Sequence, residues 1–208
     1  MNLIQCKSTD LLVDHSLRWL RETLEDFDFS TIFIPAGKTP IPLYQKINRM
    51  QEDWLKKLKF VQIDDVISSA GKGMFKSFLG SHLTSFKDQI HFIEYGEVKA
   101  QAAILGLGLN GHVAFHEPHL PPEFCFGEVE LSPDSCKTLG IPNGSKGCTH
   151  GLGNILGTGR ILLIVTGEHK ENILKRTLAR DPSVPARHLI NHRDLTIVTD
   201  INIEKADP

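Results

Sequence analysis

Cysteine is scarce in this chain. Cys6, Cys125, Cys136 and Cys148 are the four among 208 residues, and no Cys-x-x-Cys pair occurs. A disulfide-stapled miniature fold and a paired-thiol zinc or redox motif are thereby excluded, and reduced thiols in a cytosolic setting are expected. Long apolar runs are lacking too. No stretch reaches the roughly 20 residues that cross a bilayer. Residues Met1 to Ser8 hold no basic segment leading into an apolar one, so neither a span nor a secretory signal is expected, and the chain reads as cytoplasmic. Nor is there an excess of one charge. The formal net charge is -2 with ten histidines counted neutral, which leaves no electrostatic footprint for nucleic acid or an anionic membrane. A small anionic ligand stays possible, because a few local donors hold one phosphate. Arginine is missing between Arg49 and Arg160.

What is present is a globular composition, 40% hydrophobic and 23% charged, long enough for one domain over residues 1–208 with a substantial core. Val13, Leu17, Leu20, Leu24 and Phe27 recur at steps of four and three, which predicts an amphipathic helix from Ser8 to Phe27. Short apolar strands are expected at Thr31–Ile34, Phe60–Ile63, Ile90–Ile93, Ala102–Leu107, Glu128–Leu131, Ile161–Thr166 and Leu195–Val198. Helices are expected after Pro40, from Met74 to Leu83, and around Ile173, Leu174 and Leu178. Strands alternating with helices give an α/β fold: a doubly wound, mostly parallel, Rossmann-like sheet with helices on both faces. His91 is placed on the outer side of its strand. Only Glu94 to Gln101 separates that strand from the next, so an edge of the sheet is exposed or covered by a second subunit.

The chemistry concentrates in Gly106-Leu-Gly-Leu-Asn-Gly-His-Val-Ala-Phe-His-Glu-Pro118. A buried strand runs into Gly106, Gly108 and Gly111, where the backbone turns sharply and a ligand can approach closely. Asn110, His112, His116 and Glu117 follow at once, at what would be the carboxyl edge of the sheet. A second candidate is Gly37-Lys-Thr-Pro40. Thr39 is a good N-cap and Pro40 suits the first helical position. A glycine turn feeding a helix N-terminus favours phosphate, to which Lys38 adds a mobile cation. A third is Asp64-Asp65 at the end of a strand. On residue type alone these are helix caps or a catalytic base beside a helper. A charged first turn holding Lys170 follows the Ile161–Thr166 strand.

Leu107 to Pro118 resembles the signature of the glucosamine-6-phosphate deaminases. These form a superfamily with galactosamine-6-phosphate isomerases (deaminating) and 6-phosphogluconolactonases. Gly37–Pro40 is similar to the family's Gly-x-Thr-Pro phosphate loop, and Gln62-Ile-Asp-Asp65 to its Asn-Met-Asp-Glu stretch. Thr149 to Leu156 resembles its Thr-x-Gly-x-Gly-x-x-Leu segment. The resemblance implies an amino-sugar 6-phosphate as substrate and no cofactor or metal. By position it makes Asp64 the base at C2 and His112 the base at the ring oxygen and anomeric hydroxyl, with Glu117 supporting it and Asn110 beside it. Gly37, Lys38, Thr39, Gly108, Gly111 and Lys170 become the substrate and phosphate contacts. It further implies a mobile lid over His119–Gly147 and leaves a homo-oligomer possible. Three departures stand out: Asn110 replaces the usual aspartate, Lys38 a common serine, and the lid lacks its arginine, with Lys137 and Lys146 as substitutes. His150 either faces the site or packs away from it. Three rival readings remain: a 6-phosphogluconolactonase, a non-catalytic sugar-phosphate sensor, and a metal site from His112, His116, Glu117 and His119.

Overall fold

The computed structural model describes residues 1–25, 30–50 and 52–203, with the Glu25 side chain excepted. The chain begins with β1 (Asn2–Gln5), which the sequence reading did not anticipate, and α1 (Thr9–Glu25). Phe27, the last residue of the expected first helix, lies outside the described residues. Next come β2 (Ser30–Ile34), α2 (Ile41–Arg49), β3 (Leu58–Gln62), β4 (Asp64–Val66), α3 (Met74–His82) and β5 (Ile90–His91). The second half holds β6 (Ala102–Gly106), β7 (Phe126–Glu130), α4 (Pro133–Leu139), β8 (Lys146–His150), α5 (Leu152–Leu156), β9 (Arg160–Val165), α6 (Glu171–Leu178) and β10 (Leu195–Thr199).

Seven strands form one sheet in the order β1-β10-β9-β6-β2-β3-β5, and every pairing is parallel. Parallel strands need both faces covered, which is why the strands read as apolar runs. Ile32, Ile34, Phe60, Ile104, Leu162 and Ile164 pack on one face against Leu12, Leu20, Leu43, Ile47 and Leu79 of α1, α2 and α3. The alternating residues Phe33, Val61, Ala103, Leu105, Leu163 and Val165 pack on the other against Leu152, Ile155, Ile173 and Leu174 of α5 and α6. The doubly wound expectation holds.

The chain visits β2, then β3 and β5 to one side, then β6, β9 and β10 to the other. The reversal falls between β2 and β6, and at such a switch point adjacent loops part at the carboxyl edge to leave a crevice. A second sheet, β4-β8-β7, is antiparallel. It has its own small core of Val66, Phe115, Val129, Leu131 and Cys136. The stretch expected as a lid, His119–Gly147, supplies β7, α4 and the start of β8 to it, whereas β4 comes from the segment after β3. The short link after β5 carries a 3-10 turn, Ile93–Tyr95, and no helix. His91 is half-buried on its edge strand; among the described residues its Nε2 has no hydrogen-bond partner, and its ring lies 5.4 Å from that of Tyr95. Among the described residues no helix is long and apolar enough to cross a membrane.

Candidate active site

Four neighbouring strands, β9, β6, β2 and β3, deliver the predicted residues from their carboxyl ends. Gly37, Lys38 and Thr39 follow β2. Gly37 has φ +112, a conformation that suits glycine, and open space where a side chain would stand. Thr39 is not the N-cap. Pro40 takes that place with no side-chain cap, and Pro42 sits in the first turn of α2. Proline already lacks the N–H that a threonine would satisfy. The Thr39 hydroxyl instead lies 3.4 Å from that of Thr166, which follows β9 and was not singled out from sequence. This contact spans the position of β6, the strand between them. The Tyr44 hydroxyl donates to Pro35 O at 2.6 Å and ties α2 to the loop.

The loop after β6 is built around two glycines. Gly111 has φ +83, and a Cβ there would lie 2.5 Å from Val184 Cγ1. Gly108 N–H donates to His112 O at 2.9 Å, and the His112 ring lies where a Gly108 side chain would be, 2.4 Å from that Cβ position at Nε2. The glycines therefore let the loop fold onto itself and aim the imidazole. Asn110 Oδ1 accepts the His112 N–H at 3.1 Å, and its Nδ2 donates to Glu117 Oε2 at 3.0 Å. Amide orientation follows from these partners.

Glu117 is fully buried. Its Oε1 accepts from Ser135 Oγ at 2.5 Å and from Ser132 N–H at 3.3 Å, at the start of α4. Ser132 caps that helix through Ser135 N–H. The pair was missed in the sequence, although Ser132-Pro-Asp-Ser135 is a readable helix start, serine N-cap then proline. His112 Nδ1 lies 3.8 Å from Glu117 Oε2, too far for a hydrogen bond, and has no hydrogen-bond partner among the described residues. Burial pulls His112 below the usual histidine range, Glu117 opposes and Lys170 adds to the depression. For Glu117, burial pushes upward, but His112 and the hydrogen bonds from Ser135 and Ser132 outweigh it and hold the carboxyl below its usual range. Both directions favour a neutral imidazole beside a carboxylate.

Asp64 and Asp65 divide the two roles left open by their sequence. Both are buried, in β4. Asp65 Oδ1 accepts from Val66 N–H and Phe75 N–H, and Oδ2 from Lys76 N–H and the Gln62 amide, all within 2.9 Å. It anchors the first turn of α3 and is structural. Asp64 receives no hydrogen bond on its carboxyl from the described residues. Burial, with Asp65 beside it, holds it well above the usual carboxylate range; burial first, and Asp64 second, raise Tyr44 as well. Asp64 pairs with Thr149 of β8, whose hydroxyl accepts the Phe115 N–H. The small sheet thus links Asp64 to the His112 loop.

Lys170 follows β9 and is drawn below its usual range by burial, against the pull of Asp200. His116 does not join the others: its Nδ1 accepts the Leu152 N–H at 3.1 Å, and burial pushes it down to about 4. Among the described residues no three His, Cys, Asp or Glu side chains are grouped to hold a metal ion, and His116 so engaged speaks against the metal reading. His150 is buried between Phe33 and Phe126, with ring centroids at 4.6 and 4.8 Å. Lys137 and Lys146 are exposed.

No protein-family model matches the chain. It is 25% identical to glucosamine-6-phosphate deaminases of Bacillus velezensis and of Lactobacillus delbrueckii subsp. bulgaricus, in each case over 96% of this chain and 97% of the relative. Among solved structures it is similar to a monomeric glucosamine-6-phosphate deaminase, with TM-score 0.82 and 19% identity over 96% of this chain and 97% of that one. The 6-phosphogluconolactonase of Thermotoga maritima superposes with TM-score 0.71 and 19% identity, over 95% and 96% respectively. The relatives in sequence and the neighbours in fold agree over nearly the whole length: the chain is similar in sequence to glucosamine-6-phosphate deaminases and shares a fold with both a glucosamine-6-phosphate deaminase and a 6-phosphogluconolactonase.

Proposed function

We propose that this chain is a deaminating aldose–ketose isomerase that converts an amino-sugar 6-phosphate, glucosamine- or galactosamine-6-phosphate, to a ketose 6-phosphate and ammonia. The observation that carries this reading is the separation of two proton-handling groups. His112–Glu117 follows β6 and Asp64 follows β3, with the Gly37–Thr39 loop of β2 between them in the sheet order. At about 4.8 Å per strand, the span from β3 to β9 is about 14 Å, enough for a six-carbon sugar phosphate.

The steps follow from these placements. Neutral His112 takes the anomeric hydroxyl proton and, as the imidazolium that the Glu117 carboxylate stabilises, delivers it to the ring oxygen as the ring opens. Asp64, as carboxylate, then removes the proton from C2 of the open chain and returns it to C1. This converts the amino-aldose to a ketose imine, which water hydrolyses to ketone and ammonia. A carboxyl that burial keeps reluctant to ionise is a stronger base once ionised, which suits a carbon acid. The Gly37 loop, Lys38, Thr39 and Lys170 anchor the phosphate, and Gly108 and Gly111 shape the turn that aims His112. None of these steps needs a cofactor, and the soluble substrate fits a cytoplasmic enzyme. A lactonase would need His112 to activate water and would leave Asp64 without a role.

Ammonia release from glucosamine-6-phosphate and galactosamine-6-phosphate, measured in parallel with 6-phosphogluconolactone hydrolysis, tests the reading. Ammonia from one or both sugars is expected; lactone hydrolysis without ammonia would replace the deaminase by the hydrolase.

A further inference from the structure

Asn110 departs from the pattern that the chain otherwise resembles, and an asparagine could be read as a weakened aspartate. Its contacts argue otherwise. The side chain makes no hydrogen bond to the His112 ring; it grips the His112 backbone N–H and donates to Glu117 Oε2 at 3.0 Å. Swapping the amide nitrogen for a carboxylate oxygen at that place would set two acceptors against each other with no proton between them. Glu117 is fully buried there, and two such carboxylates cannot both ionise without strong mutual cost.

We propose that Asn110 is a positioning residue that makes this a one-carboxylate site, fixing Glu117 as an ionised partner and leaving His112 as the proton acceptor. The inference rests on the reading of His112 and Glu117 as the acid–base pair. The other groups facing the pair are few. From the N-terminus of α4 come the neutral donors Ser132 N–H, at the N-cap, and Ser135 Oγ. Beyond β9 stands Lys170, which disfavours an imidazolium, and within the loop His116 is kept neutral by burial. Asn110 supplies the remaining donor to Glu117, and an aspartate in its place would replace that donor with a competing base.

The test is a titration of the folded protein by nuclear magnetic resonance, following the His112 ring and the Glu117 side-chain carboxyl carbon. In Asn110→Asp, the added charge raises the His112 midpoint by about one pH unit or more and splits the curve into two steps as the second carboxyl ionises. The exchange Asn110→Asp with Glu117→Gln restores one carboxylate and one amide, and returns a single step. Asn110→Ala removes the donor without adding charge, and there the Glu117 midpoint rises. A His112 curve in Asn110→Asp that overlays the wild type would overturn the inference. So would an unmoved Glu117 midpoint in Asn110→Ala, the variant to rely on if Asn110→Asp does not fold. Neither readout requires turnover. Absence of ammonia release with both sugars would sink the proposed reaction and leave this test standing, whereas unmoved titrations would sink this inference alone.

Discussion

Gly108→Ala is the smallest change that tests whether the loop exists to aim His112. The new methyl would lie 2.4 Å from Nε2, 2.5 Å from Cε1 and 2.6 Å from Cδ2. Three nearly equal distances mean that the methyl meets the face of the ring, so rotation within the ring plane does not relieve the clash. Ordinary carbon contacts lie near 3.5 Å, and the imidazole must therefore retreat by about 1 Å. A displacement of that size costs about 10²-fold in rate, or about 2.7 kcal/mol of barrier. The fold loses much less, because the His112 side chain is 21% exposed and has solvent to move into. A loss of about 1 kcal/mol lowers Tm by about 2–4 °C in a chain of this size. Gly106→Ala is the control: its Cβ would meet nothing within 4 Å, and its φ is not positive. The assay is kcat for ammonia release beside a thermal melt of each variant. Wild-type kcat in Gly108→Ala, or an equal fall in Gly106→Ala, would refute the reasoning.

Further outcomes follow from the carboxyl groups. Asp64 has a folded-state pKa raised above its unfolded value near 3.8. Its contribution to stability is thus fully present below that value and is lost as pH rises through the raised one. Asp64→Asn should therefore abolish turnover yet stabilise the fold by about 0.5–2 kcal/mol at neutral pH, a gain in Tm that shrinks toward pH 4. An Asp64→Asn protein less stable than wild type at pH 7 would contradict this. Asp65→Ala strands the three backbone N–H groups and the Gln62 amide that it serves. It should cost about 3 kcal/mol or more in urea unfolding, and a loss below 1 kcal/mol would show that solvent takes over those donors. Ser135→Ala removes the 2.5 Å donor to Glu117 and should move the acidic limb of kcat/KM upward while the melt changes little; an unmoved limb would sever Ser135 from the pair.

Much of this was readable before any coordinates, and the reasons are physical. Buried parallel strands are apolar along their length, so β6, β9 and β10 declared themselves, and glycines before a cluster of polar side chains marked the loop after β6. Short, mixed-polarity strands did not. β4 is Asp-Asp-Val and β8 is Lys-Gly-Cys-Thr-His, and neither carries a period that separates a strand from a loop. Of the small sheet only β7 was legible, as the expected strand Glu128–Leu131, and the consequences of the sheet for Asp64 and Thr149 stayed hidden. Thr39 followed a local rule for helix starts that tertiary context overrode: two prolines removed the need for its cap, and its hydroxyl turned to Thr166. Asp64 and Asp65 are chemically identical in sequence, and only the position of α3 decides which one is consumed by hydrogen bonds. β1 was missed because Asn2–Gln5 is four residues at an edge, defined by its pairing with β10.

The central claim is that Asp64 carries a proton between carbons of an amino sugar. Its most direct measurement is turnover in heavy water, with nuclear magnetic resonance reading deuterium at C1 of the ketose phosphate formed by the wild-type and Asp64→Asn proteins. The account predicts ketose from the wild type with the C2 hydrogen, or solvent deuterium exchanged for it, at C1, and neither ketose nor exchange from a folded Asp64→Asn protein. Ketose formation by Asp64→Asn at the wild-type rate would place the base elsewhere and contradict the account.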